Sequence, residues 1–420
     1  MKQISKLFLA LALLALTTPA WANRLLTAGC ETNDGSTDIV TEFDTRSSST
    51  GQSYDSTVKH SGTDSCKFTA TSAATRFLRR TLATAMGNGE HLYVSLYYEP
   101  TDYYDTQAAL FYERTTSTAV GGIVQLNTSG NVVLKNTVTS TTQTSSMALS
   151  LSIMYRLEYH NTILNSGGSM TLGIFAGDST TALETLTISA EDTLNVDIKY
   201  LVFGNADVSS ANFTQYYDDI VVNDGAGSAP FNAAPGPHKI CLLTPNADTS
   251  VAWTKAGGTP AGTNYGGVNG IPGTPVDATN FNTDAQATNV DRLGLSAMPA
   301  EVTSDATIIS ADVYARVSAA STATSMLLRI WDQAGTPTDG PSISLPSSTW
   351  KILSTVEHLA YNASGKTKAN FDSFDVGYIG GAADGYTKQI GDLWVNVEWL
   401  EASAPPANPG ITAHICTQPQ

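Results

Sequence analysis

Short hydrophobic runs rich in β-branched and aromatic residues recur along most of the chain, and Gly, Asn, Ser and Pro separate them. Residues 154–161 are typical, because Tyr155, Leu157 and Tyr159 alternate with polar residues as in a strand with one buried face. No amphipathic stretch has capping residues at both ends. The pattern therefore predicts an all-β protein.

The short hydrophobic runs form two groups along the chain. A chain of 420 residues is too long for one ordinary β-sandwich and suits two. We predict the first sandwich at residues 23–224 and the second at 239–402. Residues 225–238 contain several prolines and lack periodicity, so we interpret them as a linker. A proline-rich tail follows at 403–420.

The N-terminal 22 residues have the features of an export signal. Lys2 and Lys6 precede an apolar run at 7–16, and Ala20-Trp21-Ala22 is a small-x-small cleavage site. No later segment is long and apolar enough to span a bilayer, so we expect no transmembrane anchor. The mature protein is expected outside the cytoplasm, either secreted, at the cell surface or in the periplasm.

Charge narrows the range of partners. The formal net charge is −16, and removal of the two signal-peptide lysines makes it about −18. An acidic surface repels phosphate backbones, so we do not expect nucleic-acid binding. The composition leaves open whether the chain forms oligomers.

Four cysteines in an exported chain predict two disulfides. Three pairings are possible. Keeping each bond within one predicted domain favours Cys30–Cys66 and Cys241–Cys416. The second bond would tie the tail to the start of the second sandwich.

Five short segments of the first predicted sandwich are Gly29-Cys30-Glu31, residues 61–66, residues 155–158, residues 203–205 and Tyr217-Asp218-Asp219-Ile220. In their order and spacing over residues 24–224, they together resemble the concanavalin A-like, or LamG-like, jelly roll of phage virion proteins and secreted bacterial proteins. The second sandwich after a Gly-rich linker resembles two-domain phage structural proteins. Two features depart from the family pattern: cysteines stand where an apolar residue is common, and Met154 stands where a Trp is common.

The resemblance implies a calcium site. In carbohydrate-binding jelly rolls, an acid after the first strand and an acid on the last strand meet beside backbone carbonyls, which is the oxygen-rich environment that calcium prefers. Carried over to this chain, the ligands are Glu31, Asp218 and Asp219. The ion would be structural and would clamp the two ends of the domain. Alternatively, these acids cap turns or face water.

Residues 97–105 contain four tyrosines and three acids. Aromatic faces flanked by carboxylates suit sugar rings, so Tyr98, Asp102, Tyr103 and Tyr104 are candidate glycan contacts. Trp253, beside a long Gly- and Pro-rich loop, is another. Packing of strand and loop is the alternative interpretation, because alternation sends neighbouring tyrosines to opposite faces.

Signatures of catalysis are incomplete. Gly177-Asp178-Ser179 resembles the nucleophile block of GDS-type esterases, but no His follows an Asp at the required Asp-x-x-His spacing. The Glu-x-Asp-x-x-Glu pattern of laminarinase-like jelly rolls is absent, and the six histidines show no zinc-binding spacing.

We therefore expect a non-enzymatic exported protein, a surface, filament or virion-like component whose first jelly roll contacts glycan or a protein partner. The alternative is a secreted carbohydrate-active enzyme, a glycoside hydrolase or lyase with a jelly-roll domain.

Overall fold

A computed structural model describes residues 24–32, 42–47, 51–70, 74–104, 107–115, 119–193, 197–210, 213–226, 228–256, 262–270, 280–353, 357–381 and 385–401. The signal peptide predicted at 1–22 and the tail predicted at 403–420 lie outside these residues. The described residues are almost entirely β-structure arranged as two sandwiches in tandem, so the predicted fold class is confirmed.

The first sandwich contains fifteen of the described strands. They are β1 Arg24–Ala28, β2 Thr45–Arg46, β3 Gln52–Asp55, β4 Ser65–Ala70, β5 Ala74–Met86, β6 His91–Pro100, β7 Ala108–Thr115, β8 Val120–Leu126, β9 Asn131–Asn136, β10 Thr142–Ala148, β11 Tyr155–Thr162, β12 Gly168–Ala176, β13 Glu184–Glu191, β14 Ile198–Ser210 and β15 Phe213–Asn223.

These strands form two antiparallel sheets. Sheet 1 has the order β13-β12-β11-β6-β15-β4-β3, with β1 also paired to β15, and sheet 2 has the order β10-β9-β8-β7-β14-β5-β2. The strands β4 to β7 alternate between the sheets, as do β14 and β15. Tyr155, Leu157 and Tyr159 of β11 point into the core between the sheets, as their alternation predicted.

The second sandwich contains thirteen described strands, a one-turn 3-10 helix at Tyr265–Gly267 and a short helix α1 at Lys368–Phe371. The strands are β16 Lys239–Leu243, β17 Pro245–Ser250, β18 Thr254–Lys255, β19 Asn282–Asp284, β20 Val290–Leu295, β21 Thr307–Ala319, β22 Thr324–Trp331, β23 Pro337–Asp339, β24 Ile343–Leu345, β25 Lys351–Ile352, β26 Leu359–Thr367, β27 Asp375–Gly380 and β28 Lys388–Leu400.

Sheet 3 has the order β18-β19-β28-β21-β25, and β16 and β26 also pair with β28 and β21, respectively. Sheet 4 has the order β17-β20-β27-β22-β23, and β24 also pairs with β22. A second apolar core fills the space between these sheets. The last strand of each sandwich, β15 in the first and β28 in the second, lies within a sheet rather than at its edge, because it has paired neighbours on both sides.

A buried ion pair joins the two sandwiches. The Arg24 guanidinium on β1 lies 2.5 Å from the Glu398 carboxylate on β28, and each side chain is 1% exposed. The Ser310 hydroxyl on β21 donates a second hydrogen bond to this carboxylate at 2.9 Å. Arg24 also covers the ring of Phe231, which comes from the linker. The first strand of the chain is thereby fixed to the last strand of the second sandwich.

Polar side chains continue this contact along the outward side of sheet 3. The Thr27 hydroxyl donates to the Asp312 carboxylate. The Asn396 amide donates to the Thr27 carbonyl at 2.7 Å and to the Glu42 carboxylate at 2.8 Å. Burial raises the pKa of Glu42 and of Asp312 to about 7. This part of sheet 3 is therefore an interface between the sandwiches and not a free surface.

Candidate functional site

A disulfide between Cys30 and Cys66 fixes the end of β1 against β4. The two Cα atoms are 5.4 Å apart although 36 residues separate them in sequence. The bond confirms one predicted pairing and fits export to an oxidising compartment. Cys241 is buried, and no disulfide joins it to another cysteine among the described residues. Its predicted partner Cys416 lies outside the described residues, so that pairing stays a prediction.

The disulfide places Glu31 beside the loop that leads into β4. The backbone N–H and the hydroxyl of Thr63 both donate to one oxygen of the Glu31 carboxylate, each at 2.7 Å. Gly62 has a φ of +63°, and a Cβ at this position would lie 1.9 Å from the other oxygen of Glu31. Only glycine therefore lets the carboxylate approach this turn.

Asp218 and Asp219 of β15 bind the same loop. Asp219 has a φ of 43° at an irregularity in the pairing of β15 with β6, which interrupts the usual alternation of side chains. The Asp218 carboxylate accepts the N–H groups of His60 and Ser61 at 2.6 and 3.3 Å. The Asp219 carboxylate accepts the Ser61 hydroxyl at 2.8 Å and the N–H of Ile240 at 2.9 Å. Two successive acids thus both accept hydrogen bonds from the loop that leads into β4.

Glu31, Asp218 and Asp219, the predicted calcium ligands, lie in one buried acidic cluster. Burial raises the pKa of Glu31 and of Asp218 well above their usual range, and the charge of Asp219 raises both further. In the part of the chain that the structure describes, no group of three or more His, Cys, Asp or Glu side chains is arranged to hold a metal ion. Calcium binding by these acids stays a prediction.

The His60 imidazole lies beside this cluster. Its Nδ1 is 2.6 Å from an Asp219 oxygen and its Nε2 is 3.0 Å from an Asp178 oxygen, while its ring stacks on Tyr97 at 3.5 Å. Burial lowers the pKa of His60, but the hydrogen bonds to the two carboxylates outweigh burial and raise the pKa overall. A protonated His60 therefore offsets part of the acidic charge.

Ser179 is the serine of the esterase-like segment, and His60 is not available to activate it as a general base. Its hydroxyl donates to the carbonyl of Thr181 at 2.9 Å, in the turn between β12 and β13. The neighbouring Asp178 binds His60, but both ring nitrogens of His60 are engaged by carboxylates. His60 therefore has no free nitrogen with which to activate a serine.

The structure corrects three of the predicted glycan contacts. Tyr98 is 0% exposed and Tyr104 is 2% exposed, and both hydroxyls donate to the Gln215 side chain. Trp253 is 4% exposed and packs edge-on against Tyr378, with ring centroids 4.7 Å apart. These aromatic rings fill the two cores, so they offer no face to a ligand.

The other two predicted contacts lie in the loop after β6. Tyr103 is partly buried against the first core, and its hydroxyl donates to the Leu149 carbonyl at 2.5 Å. Asp102 is exposed. Most of the tyrosine-rich segment therefore serves packing, which was the alternative interpretation of the sequence.

The outer face of sheet 1, formed by the residues of β6, β11 and β12 that point away from the core, carries a flat aromatic ring. Phe175 on β12 is partly exposed, and its ring covers the guanidinium of Arg156 at 4.2 Å. Arg156 is 1% exposed and donates to the carbonyls of Gly177 and Ser179. A Cβ at Gly173 would lie 2.6 Å from the Phe175 ring, so glycine lets the ring lie close to the strand. The Phe175 side chain is thereby held on the outer face of sheet 1 and stays partly exposed to solvent.

Three further rings stand on the same outer face. Tyr93 stacks on His160 with ring centroids 4.2 Å apart, and His91 lies 5.4 Å from His160 in a nearly parallel plane. In the pairing of β11 with β12, Arg156 is opposite Phe175 and His160 is opposite Thr171. The two aromatic groups are thus separated by four residues, or about 13 Å along the strand.

Sequence reasoning did not select these outer-face rings. The alternation of residues 154–161 placed Arg156 and His160 on one side of a strand. It could not show that β6 flanks β11, because these two strands pair over a long sequence distance. A period-2 search for aromatic residues on the polar side of predicted strands would have found Tyr93 and Phe175.

Among the described residues, no helix combines the length and apolar composition that a membrane span needs.

No protein-family profile matches the sequence, and no curated protein matches it. Similar solved structures include the cellulose induced protein Cip1 (TM-score 0.30, 16% identity, 41% of this chain and 84% of that chain). An alginate lyase from Corynebacterium sp. has a TM-score of 0.30 and 9% identity, over 41% of this chain and 80% of that chain. The CBM22 tandem domain of Xyn10C from Paenibacillus barcinonensis has a TM-score of 0.24 and 10% identity, over 90% of this chain and 99% of that chain. At these TM-scores a function has to be argued from the residues, and the phage resemblance stays a prediction.

Proposed function

We propose that this chain is an exported, non-catalytic binding protein whose first sandwich binds glycan on the outer face of sheet 1. The observation that carries the proposal is the partly exposed Phe175 ring, which lies over the buried guanidinium of Arg156 at 4.2 Å. Sugar rings have apolar faces that pack on flat aromatic rings, and pre-positioned rings lose little conformational entropy on binding.

Polar side chains surround this ring. Glu158 on β11 is partly exposed and accepts a hydrogen bond from Arg156 at 2.9 Å, which orients its carboxylate. Thr171 on β12 is partly exposed on the same face, and Thr185 and Thr187 on β13 are exposed beside it. These groups can accept and donate hydrogen bonds to sugar hydroxyls. The face is long enough to contact more than one sugar ring, because the Tyr93 and His160 stack lies about 13 Å further along the strands.

Replacing Phe175 by leucine is expected to weaken glycan binding at least tenfold, or by about 1.4 kcal/mol. Leucine still covers Arg156 but removes the flat ring face. The measurement is a glycan array followed by titration calorimetry with the strongest oligosaccharide, in buffer with EDTA. Tyr386→Ala, which removes an exposed aromatic of the second sandwich, is the matched control. An array without signal for the unaltered protein, or equal affinity for Phe175→Leu, would contradict the proposal and favour a protein partner.

We also propose that the acidic cluster at Glu31, Asp218 and Asp219 binds a structural calcium ion. The support is chemical: three carboxylates are buried together, each supplies the hard oxygen atoms that calcium prefers, and the charge of Asp219 adds to burial in raising the pKa of Glu31 and of Asp218. A bound cation would offset that repulsion and would hold β1, the loop before β4 and β15 together.

Calcium is expected to raise the Tm of the mature protein by about 5 to 10 °C at roughly 100-fold excess over its Kd. Glu31→Gln should abolish this rise, because it removes one charge of the cluster, whereas Asp305→Asn, an exposed acid of the second sandwich, should preserve it. Thermal unfolding with calcium or EDTA measures both. If calcium leaves the Tm of the unaltered protein unchanged, the three acids act only through their hydrogen bonds.

A further inference from the structure

Two of the six histidines, 69 residues apart in sequence, meet on the outer face of sheet 1. The Nδ1 atom of His91 on β6 lies 3.1 Å from the Nε2 atom of His160 on β11. The Thr162 hydroxyl is 3.3 Å from the first nitrogen and 3.5 Å from the second. The register of β6 and β11 creates this contact, because His91 is opposite Thr162 and Tyr93 is opposite His160.

The separation of the two nitrogens suits a shared metal ion. Two ligands that each lie about 2.0 to 2.1 Å from a metal, at angles of about 90 to 110°, are about 2.9 to 3.4 Å apart. Imidazole nitrogens are preferred ligands of Zn²⁺, Cu²⁺ and Ni²⁺. Without a metal, one imidazole N–H can donate to the lone pair of the other. A metal would replace this shared proton once the rings rotate slightly about their side-chain torsions.

The surroundings of His160 favour its neutral imidazole. Burial, together with the charge of the neighbouring His91, lowers the pKa of His160 to about 4. His160 is therefore uncharged at neutral pH and keeps a lone pair for a metal. Its ring is also held in place, because it stacks on Tyr93 at 4.2 Å. Both histidines are only partly buried, so a metal ion can reach them from solvent.

We infer that His91 and His160 form a binding site for a divalent transition metal ion such as Zn²⁺. The two imidazole nitrogens supply two ligands, and the positions that remain would be taken by water or by a donor group of a bound molecule. The site is separate from the acidic cluster, which offers only carboxylate oxygens and suits calcium. It does not depend on the proposed glycan binding, because the metal contacts no part of Phe175 or its neighbours.

The test is titration calorimetry of the mature protein with Zn²⁺, in buffer with saturating calcium so that the acidic cluster cannot take up zinc. We expect one Zn²⁺ per chain. His91→Gln and His160→Gln should each weaken binding by about tenfold or more, since loss of a second-shell partner alone costs about 10- to 100-fold. Ser189→Ala, at an exposed position of β13 on the same face without a metal-binding side chain, is the matched control and should bind zinc normally.

Two results would overturn the inference. One is the absence of saturable zinc binding by the unaltered protein. The other is zinc binding that both glutamine variants retain, since the metal would then lie elsewhere. Thermal unfolding of each variant establishes that it is folded, and two independent single variants keep the test decisive if one of them is unstable.

Discussion

Replacing Arg24 by alanine is expected to lower the free energy of unfolding by about 3 to 5 kcal/mol. The Glu398 carboxylate is 1% exposed, and the Arg24 guanidinium at 2.5 Å is its charged partner. Without the guanidinium, a charge would remain buried between the sandwiches with only the Ser310 hydroxyl to stabilise it. The measurement is urea unfolding followed by tryptophan fluorescence, because five of the six tryptophans lie in the second sandwich.

A surface ion pair provides the control for Arg24. Arg329 binds Asp339 on sheet 4, and the two side chains are 19% and 42% exposed, so Arg329→Ala is expected to cost about 1 kcal/mol or less. The double variant Arg24→Met, Glu398→Leu should recover much of the lost stability, since it removes both buried charges together. If Arg24→Ala costs no more than Arg329→Ala, the ion pair does not stabilise the contact between the sandwiches.

Removing the disulfide with Cys30→Ser and Cys66→Ser is expected to cost about 4 kcal/mol, which is the chain-entropy value for a loop closed over 36 residues. The loss should exceed this value when calcium is present, because the bond positions Glu31 beside Thr63. Thermal and urea unfolding with and without a reducing agent measure the effect. Reduction of the unaltered protein should cause a loss at least as large as that of the double serine variant.

The same variant tests the second predicted bond. If Cys241 and Cys416 are not joined, a reducing agent should leave the stability of the double serine variant unchanged. A further loss on reduction would show that this bond exists. If the unaltered protein and the double serine variant unfold at the same urea concentration, the Cys30–Cys66 bond contributes nothing to stability.

The pattern of hydrophobic and polar residues along the sequence was sufficient to predict the fold class. Alternation along β11 is a local property with a period of two residues, so it predicted which side chains of that strand enter the core. The grouping of cysteines by predicted domain likewise anticipated the bond from β1 to β4. The resemblance to jelly rolls implied that Asp218 and Asp219 lie near Glu31, and the structure places the three acids in one buried cluster.

The same pattern led to a wrong prediction of which aromatic residues are exposed. A cluster of tyrosines in sequence indicates aromatic content but not exposure, and Tyr98 and Tyr104 are buried because their strand and loop turn them toward Gln215 in the core. Phe175 stands in a stretch without other aromatic residues, so a search for aromatic clusters in the sequence did not select it. Its position over Arg156 depends on the pairing of β11 with β12.

By itself, the sequence determined that this chain is all-β and divided into two sandwiches, because composition and period-2 patterning are local properties of the chain. Only the tertiary structure decided which polar residues are covered and which distant ones meet. Strand pairing over long sequence distances brings His91 to His160, and packing of the second sandwich on the first buries Arg24 against Glu398. Such contacts depend on the register of strand pairing and on which surfaces pack against another part of the fold. A local sequence pattern specifies neither of them.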